Sequence, residues 1–211
     1  MPVITIARQF GAGGKTLGRW VSEKLGYELI DEELVDMVAK EANVSPEWAD
    51  AVAKEAGNEG LLSRLMNRLG PYRKGYVEVA MEKSPGYLDG NLYISLLHKV
   101  IPEVAAQDNV VIIGRGAQYV LNDRDDTFHF LILADEEYRI DFMMRYYKLD
   151  RKQAQIVVEK QSKRRLNLYR NFGRTDFEAP ELYHMVFNMN RVSLKEAAES
   201  ICTLVIGRAS S

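Results

Sequence analysis

One stretch near the start of the chain constrains its fold more than any other, the segment ITIARQFGAGGKT at residues 4–16. Its apolar first half predicts a buried strand at residues 3–7. Four small residues, Gly11–Gly14, then lead into a predicted helix whose first turn carries Lys15 and Thr16. In such a strand–turn–helix unit, unpaired backbone amides and the positive end of the helix dipole converge on one place. The sequence therefore predicts a loop that binds phosphate.

The loop can be aligned with the known phosphate-loop pattern in two ways. The strict phosphate-loop pattern is a glycine, four other residues and then Gly-Lys-Ser/Thr. Residues 14–16 match its second half, but Gln9 occupies the first glycine position. Counting from the strand instead puts Gly14 where the phosphate-binding lysine would stand. An ordinary strand-to-helix turn is the alternative, although a plain turn needs only about one glycine.

We predict that this loop contacts the phosphates of a nucleotide, because small residues let the backbone approach them closely. ATP and Mg²⁺ are the expected ligands. The hydroxyl of Thr16 is placed to reach the metal, and Lys15 is also a candidate catalytic residue. The predicted nucleotide-binding residues are Arg8, Gly11, Ala12, Gly13, Gly14, Lys15 and Thr16.

Length and composition limit the remaining classes of protein. The 211 residues suffice for one domain with an insertion, and 28 basic against 30 acidic residues create no overall field for nucleic acid or a membrane. No apolar run reaches the roughly 18 residues of a membrane-spanning helix, and no secretory signal is visible, so a cytoplasmic protein is expected. The single cysteine, Cys202, is expected to be a buried structural thiol. The three histidines lack metal-ligand spacing.

Apolar runs alternate with helical periodicity, which predicts an α/β fold with a parallel sheet of about five strands flanked by helices. We expect one domain, 1–211, with helical segments from residue 32 onward and a less regular, glycine-punctuated region at 57–90. The predicted strands cover residues 3–7, 27–30, 110–113, 128–133 and 184–187, and the clearest helices cover 15–25, 91–106, 136–147, 149–172 and the residues from 193 onward.

Two charged residues follow predicted strands, at the sheet edge where α/β proteins bind ligands. Asp31 closes the second strand and is a candidate contact to the sugar or base of an acceptor nucleotide, the molecule that would receive a phosphoryl group. Capping of the next helix is the alternative role. Arg115 lies between two glycines after the third strand. Its guanidinium is therefore predicted to grip an acceptor phosphate through two hydrogen bonds, with a surface ion pair as the alternative.

A basic segment at residues 160–174 contains six cations and no carboxylate. On a continuous helix, all of them except Arg165 point to one broad face, which is typical of a solvated surface. The functional interpretation is a lid, at 150–178, that brings cations to a transferring phosphoryl group. Arg164, Arg165 and Arg170 are its candidate catalytic residues, and helical geometry favours Arg164 over Arg165.

The chain resembles cytidylate kinases from its first strand to Asp31 without a gap, and the segments GAGGKTLG, LGYELIDEELV and VVIIGRGAQYVL follow their order and spacing. The loop is more similar to the cytidylate kinase-like family, whose pattern is Arg-x-Phe-Gly-small-Gly-Gly-basic. The resemblance returns at 163–177 and 183–193. It implies a P-loop fold of the nucleoside monophosphate kinase type, an acceptor-binding helical insertion at 32–90, and a lid arginine at Arg165.

The resemblance implies ATP-dependent phosphoryl transfer to a small acceptor, such as the nucleoside monophosphate CMP. Cytidylate kinases carry aspartates on both sides of the Gly-Arg pair, where this chain has Ile113 and Gly116. This departure favours an alternative, a catalytically weak or inactive nucleotide sensor or scaffold. RNA binding, with Tyr169 and Phe172 stacking on bases, is a third hypothesis, which the near-neutral charge disfavours. The oligomeric state is left open.

Overall fold

The computed structural model describes residues 2–31 and 90–209. The chain divides into two compact units, one of Met1–Leu29 with Gln107–Ser211 and the other of Ile30–Ala106. The glycine-rich loop, the Arg115 turn and the basic segment all belong to the first unit. The helices predicted between residues 32 and 89, and with them nearly all of the predicted insertion, lie outside the described residues.

A five-stranded sheet forms the centre of the fold, in the order β2–β3–β1–β4–β5. β1 pairs in parallel with β3 and β4, so that Ile4 lies opposite Val111 on one side and Phe128 on the other. β4 also pairs in parallel with β5. The α/β fold class predicted from the sequence is thereby confirmed. The strands are β1 (Val3–Arg8), β2 (Glu28–Ile30), β3 (Val110–Ile113), β4 (Thr127–Leu133) and β5 (Met185–Asn188).

The helices begin and end at recognisable local signals. α1 is followed by the C-cap residue Gly26, whose φ of 69° suits a residue without a Cβ. Asp150 and Gln153 form a capping box at the start of α5. The described helices are α1 (Gly14–Leu25), α2 (Gly90–Ala105), α3 (Ala117–Val120), α4 (Glu136–Tyr147), α5 (Arg151–Asn171) and α6 (Leu194–Ala209), with a 3-10 turn at Pro180–Leu182.

The central strands are buried on both faces, which explains their continuous apolar sequences. Ile4 and Ile6 belong to a large apolar cluster with residues of α1, α4, α5 and α6. Ala7, which points to the opposite face, packs with Leu131 and Tyr183. Helices on a parallel sheet leave the carboxyl ends of the strands open to ligands.

The predicted element ends lie within two residues of those observed in the described part of the chain. Two short elements of the described part of the chain escape the sequence analysis, α3 and the 3-10 turn at Pro180–Leu182, because three or four residues are too few to show helical periodicity. Cys202 of α6 is buried, as expected, and burial raises the pKa of its thiol. Among the described helices, none has both the length and the apolar character needed to cross a membrane.

Candidate functional site

The loop between β1 and α1 has the backbone shape of an anion-binding cradle. Gly11 and Gly13 have φ angles of 86° and 90°, a left-handed conformation that costs other residues about 1–2 kcal/mol. Gly13 is the N-cap of α1, and no side chain caps this end of the helix. Because the first N–H groups of a helix have no intrahelical acceptor, hydrogen-bond donors and the positive helix dipole meet here. This geometry fits the phosphates of a nucleotide.

Two helices hold the glycine loop in place. A Cβ on Gly11 would lie 2.8 Å from the carbonyl oxygen of Arg139 in α4. A Cβ on Gly13 would lie 2.9 Å from the side chain of Leu194 in α6. Larger residues do not fit at these positions, so α4 and α6 fix the shape of the loop.

The start of α1 agrees with the alignment in which Lys15 is the loop lysine. The helix begins at Gly14, so Lys15 and Thr16 lie in its first turn, and both are half-buried. This is the position of Gly-Lys-Ser/Thr in the phosphate-loop pattern. Gln9 then stands where that pattern has its first glycine.

Arg8 joins the loop to a second turn, which follows the neighbouring strand β3. Its side chain lies against Gly14, where an added Cβ would be 2.5 Å from Cδ of Arg8. An added Cβ on Gly114 would collide with Nη1 of Arg8. Arg8 therefore puts a positive charge between the phosphate loop and the turn that contains Arg115.

The second turn holds Arg115 in an uncommon conformation. Gly114, Arg115 and Gly116 have φ angles of 68°, 58° and 73°, so an arginine adopts the left-handed region between two glycines. Such strain is concentrated at functional sites. Nε of Arg115 is buried and has no hydrogen-bond partner among the described residues, and an unmet donor of this kind is costly. An oxyanion bound here would satisfy it.

A hydrogen-bonded network of Gln9, Glu178 and Arg165 connects the phosphate loop with the basic segment. The amide nitrogen of Gln9 donates to Oε1 of Glu178 at 3.0 Å, and Nη1 of Arg165 donates to the same oxygen at 2.8 Å. The amide oxygen of Gln9 accepts from the backbone N–H of Ala134 at 3.0 Å. Burial opposes the charge on Glu178, but the hydrogen bonds from Arg165 and Gln9 lower the pKa of its carboxyl.

Arg165 points into the protein, away from the solvated face of α5. Its side chain is 13% exposed, and its guanidinium carbon lies 4.9 Å from the centre of the Tyr169 ring. Tyr169 packs edge-on against Tyr119, with ring centres 5.4 Å apart. Nε and Nη2 of Arg165 are buried and have no hydrogen-bond partner in the described part of the chain.

The other cations of the basic segment differ from Arg165. Lys160, Lys163 and Arg170 are exposed, and Lys163 pairs with Glu159 at 2.6 Å, one helical turn away. This distribution agrees with the helical geometry predicted from the sequence. For Arg164 and Arg170, a catalytic role stays a prediction.

An open cleft of about 320 Å³ lies at the carboxyl ends of β1, β4 and β5. Asn190 on its wall is fixed by two hydrogen bonds to Asp135, one to the side chain at 2.7 Å and one from the backbone N–H at 2.9 Å. Parallel sheets bind ligands at this edge. The cleft is lined by Gln9, Leu133, Ala134, Asp135, Asn188, Asn190 and Arg191.

Asp31 follows β2 in the second unit and is 5% exposed, and its role toward an acceptor stays a prediction. Among the described residues, no group of three or more His, Cys, Asp or Glu side chains could hold a metal ion. Mg²⁺ in phosphoryl-transfer sites takes most of its ligands from substrate phosphates and water. The hydroxyl of Thr16, in the first turn of α1, fits such a site.

Sequence reasoning missed Glu178 and the contact made by Gln9. Gln9 and Glu178 are 169 residues apart, so no local spacing rule joins them. The available signal was the departure of Gln9 from the phosphate-loop pattern, because a long amide side chain in place of glycine needs room and partners.

Comparison with known proteins agrees with this geometry. The cytidylate kinase-like family matches residues 3–191. An uncharacterized protein from Eubacterium ventriosum ATCC 27560 is similar in structure, with 20% identity, a TM-score of 0.65 and coverage of 97% of this chain and 98% of that one. No curated protein matches the sequence significantly.

Two kinases of known structure share the fold. A shikimate kinase from Bacteroides thetaiotaomicron has 15% identity and a TM-score of 0.51, over 97% of this chain and 98% of that one. A gluconokinase from Sinorhizobium meliloti 1021 has 12% identity and a TM-score of 0.52, over 99% and 94%. The family match includes the phosphate loop, the Arg115 turn and the basic segment. The chain therefore belongs to the cytidylate kinase-like family.

Proposed function

We propose that the protein is an ATP-dependent phosphotransferase whose acceptor is small, most directly a nucleoside monophosphate such as CMP. Family similarity supports a nucleotide-dependent kinase. The observation that carries the proposal is the loop in which left-handed Gly11 and Gly13 precede an uncapped helix that starts with Gly-Lys-Thr. Such a loop suits a chain of phosphates better than a neutral ligand.

The donor nucleotide lies along this loop. Backbone N–H groups bind its phosphates, and Lys15 adds a positive charge at the phosphoryl group to be transferred. The hydroxyl of Thr16 would hold Mg²⁺, which would supply positive charge to the phosphate oxygens. The cleft beside Asn188 and Asn190 accommodates the base of the donor, since it lies at the sheet edge where α/β proteins bind ligands.

The acceptor lies near the second turn. Nε of Arg115 has no hydrogen-bond partner among the described residues, and the backbone around it is left-handed. Both observations support binding of the acceptor phosphate by the Arg115 guanidinium. Arg8, between the two turns, balances the charges of donor and acceptor phosphates, which would otherwise repel each other.

The basic segment supplies the remaining positive charge. Arg165 is the lid arginine that this proposal favours, because its Nε and Nη2 have no partner in the described part of the chain. Arg164 and Arg170 lie on the same helix and add charge when the lid closes. Positioning and electrostatics provide most of the catalysis in phosphoryl transfer, so no dedicated base is needed.

Thermal unfolding with and without nucleotide tests the donor site. ATP–Mg²⁺ at a hundredfold excess over Kd should raise Tm by about 5 °C or more. The Lys15→Met variant should lose most of this shift, and Lys24→Met, a matched change at an exposed lysine in the last turn of α1, should keep it. A Tm that ATP–Mg²⁺ leaves unmoved would show that the loop binds no nucleotide. A coupled assay over a panel of nucleoside monophosphates then identifies the acceptor.

A nucleotide sensor or scaffold of the same fold is the second candidate. Ile113, in place of an aspartate, is fully buried at the end of β3, and Gly116 has no side chain. Neither position offers a carboxylate for metal-bound water or substrate. A sensor would bind ATP in the thermal assay without turnover of any monophosphate, which separates it from the kinase.

A further inference from the structure

The Gln9–Glu178–Arg165 network joins three separate parts of the chain: the end of β1, the segment after α5, and α5 itself. Oε1 of Glu178 accepts from Gln9 at 3.0 Å and from Arg165 at 2.8 Å. Gln9 is held at its other end by the backbone N–H of Ala134. Glu178 therefore cannot move without breaking bonds to both the phosphate loop and the basic segment.

Arg165 uses only one edge of its guanidinium in this network. Nη1 faces Glu178, and the opposite edge, with the parallel N–H groups of Nε and Nη2, is buried and has no hydrogen-bond partner among the described residues. That edge is the one that binds two oxygens of a phosphate at once. The ring centre of Tyr169 lies 4.9 Å from the guanidinium carbon, so this ring limits the rotation of the Arg165 side chain.

We propose that Gln9 and Glu178 are positioning residues, which fix the guanidinium of Arg165 so that its Nε–Nη2 edge receives the terminal phosphate of bound ATP. This inference rests on the proposed function of the loop as a donor site. The amide at position 9 replaces a glycine of the phosphate-loop pattern and gives the loop a direct bond to the lid carboxylate. Glu178 orients the arginine through one nitrogen and leaves the other two for the nucleotide.

The charges around the network agree with this role. The positive charges of Arg165 and Arg139, together with the hydrogen bonds from Arg165 and Gln9, lower the pKa of the Glu178 carboxyl and so favour its charged form. A charged Glu178 accepts two hydrogen bonds on one oxygen more strongly than a neutral group would. Arg139 is in turn held by Ser162 of α5 at 3.0 Å, so it does not displace Arg165.

Calorimetric Kd values for ATP–Mg²⁺ and ADP–Mg²⁺ test the proposal in the full chain. Glu178→Ala should raise the Kd for ATP about tenfold and leave that for ADP within about twofold, because only ATP reaches the oriented edge. Gln9→Ala, which leaves the Arg165–Glu178 pair, should raise the ATP value about threefold. Glu178→Gln keeps an acceptor oxygen and should restore ATP affinity to within about threefold of the wild type. Glu181→Ala, at an exposed carboxylate on the same segment, is the matched control and should change neither value.

The possible results separate this inference from the proposed function. ATP binding without turnover of any acceptor overturns the kinase function and still measures the positioning effect. Equal losses for ATP and ADP, or no loss, overturn the positioning role while the donor site stands. A wild type that binds neither nucleotide overturns both. If Glu178→Ala does not fold by circular dichroism, Gln9→Ala carries the test, because it removes one hydrogen bond of the network without adding charge to the phosphate loop and should still give an ATP-selective loss of about threefold.

Discussion

The two glycine turns of the first unit lie side by side but use their glycines differently. After β1, the left-handed positions fall on Gly11 and Gly13, so the backbone is relaxed and the cradle consists of main-chain groups. After β3, a left-handed position falls on Arg115, which carries both backbone strain and an unmet Nε. The first turn is shaped to receive an anion, whereas the second gives up stability to present a side chain.

This contrast indicates in which turn a substitution will affect folding and in which turn it will affect ligand binding. Arg8 contacts both turns, through Gly14 and Gly114, so the two sites share one cation. A change in the first turn should damage the fold and the donor site together. A change at Arg115 should separate them.

Gly13→Ala gives the largest expected effect and tests the first turn. Its φ of 90° and the 2.9 Å approach of an added Cβ to Leu194 should together destabilise the protein by about 3 kcal/mol and abolish stabilisation by ATP. Gly207→Ala in α6 is the matched control, because an added Cβ there meets nothing within 4 Å; its effect should stay below about 1 kcal/mol. Urea unfolding measures both. A Gly13→Ala protein of wild-type stability would mean that the loop is not fixed by packing.

Arg115→Lys tests the second turn with the positive charge retained. A lysine lacks the planar fork, so kcat/KM for the acceptor should fall about 100-fold, which corresponds to about 2.7 kcal/mol, while the Kd of ATP stays within about twofold. Arg124→Lys is the control, since Arg124 pairs with Asp108 and Asp126. An equal loss in both variants would remove the special role of Arg115.

The pH dependence of stability separates both turns from the neighbouring strand β4. His129 of β4 is buried and hydrogen-bonded to Thr5 at 2.7 Å, and burial together with the nearby His184 lowers its pKa to about 4. As the pH falls below about 6.5, His129 binds a proton in the unfolded chain, whereas in the folded chain it stays neutral until about pH 4. The free energy of unfolding should therefore be about 2 kcal/mol smaller at pH 5 than at pH 7.5.

His129→Gln should remove most of this difference, whereas Arg115 variants should retain it, because neither turn has a group that titrates in this range. His184, whose pKa is also lowered by burial and by Arg208, adds a smaller effect of the same sign. Urea unfolding at the two pH values provides the test. An unchanged pH dependence in His129→Gln would contradict the assignment.

Arg115→Gly gives the smallest expected effect and has the opposite sign. Relief of the left-handed strain, partly offset by the greater freedom of glycine in the unfolded chain, should stabilise the protein by about 0.5–1 kcal/mol. Acceptor turnover should be lost in the same variant. If the variant is less stable than the wild type, the Arg115 side chain contributes to folding more than its backbone strain costs.

The sequence was sufficient for the sheet and for the glycine turn between β1 and α1, because their signals are local. Apolar runs mark buried strands, and three glycines before Lys15 mark a turn that backbone amides can line. The burial of Arg165, by contrast, depends on Glu178 and on Gln9, which are distant in sequence. Helical geometry indicated that Arg165 points away from the face of α5 that carries the other cations. It could not indicate which residues Arg165 contacts there. The strain at Arg115 was hidden as well, because a Gly-Arg-Gly sequence permits several turn conformations.

Cys202 is the only cysteine of the chain, and it lies in α6 with 1% of its surface exposed. Thiol-reactive dyes should therefore react with the native protein only as fast as α6 detaches from the core, so that labelling kinetics report opening of the main apolar cluster. Because Cys202 is buried, a second cysteine engineered on the exposed face of α5 would be the one thiol that a fluorophore labels in the native protein. Movement of α5, which the proposed lid role requires, would then be visible in a protein whose own thiol does not react.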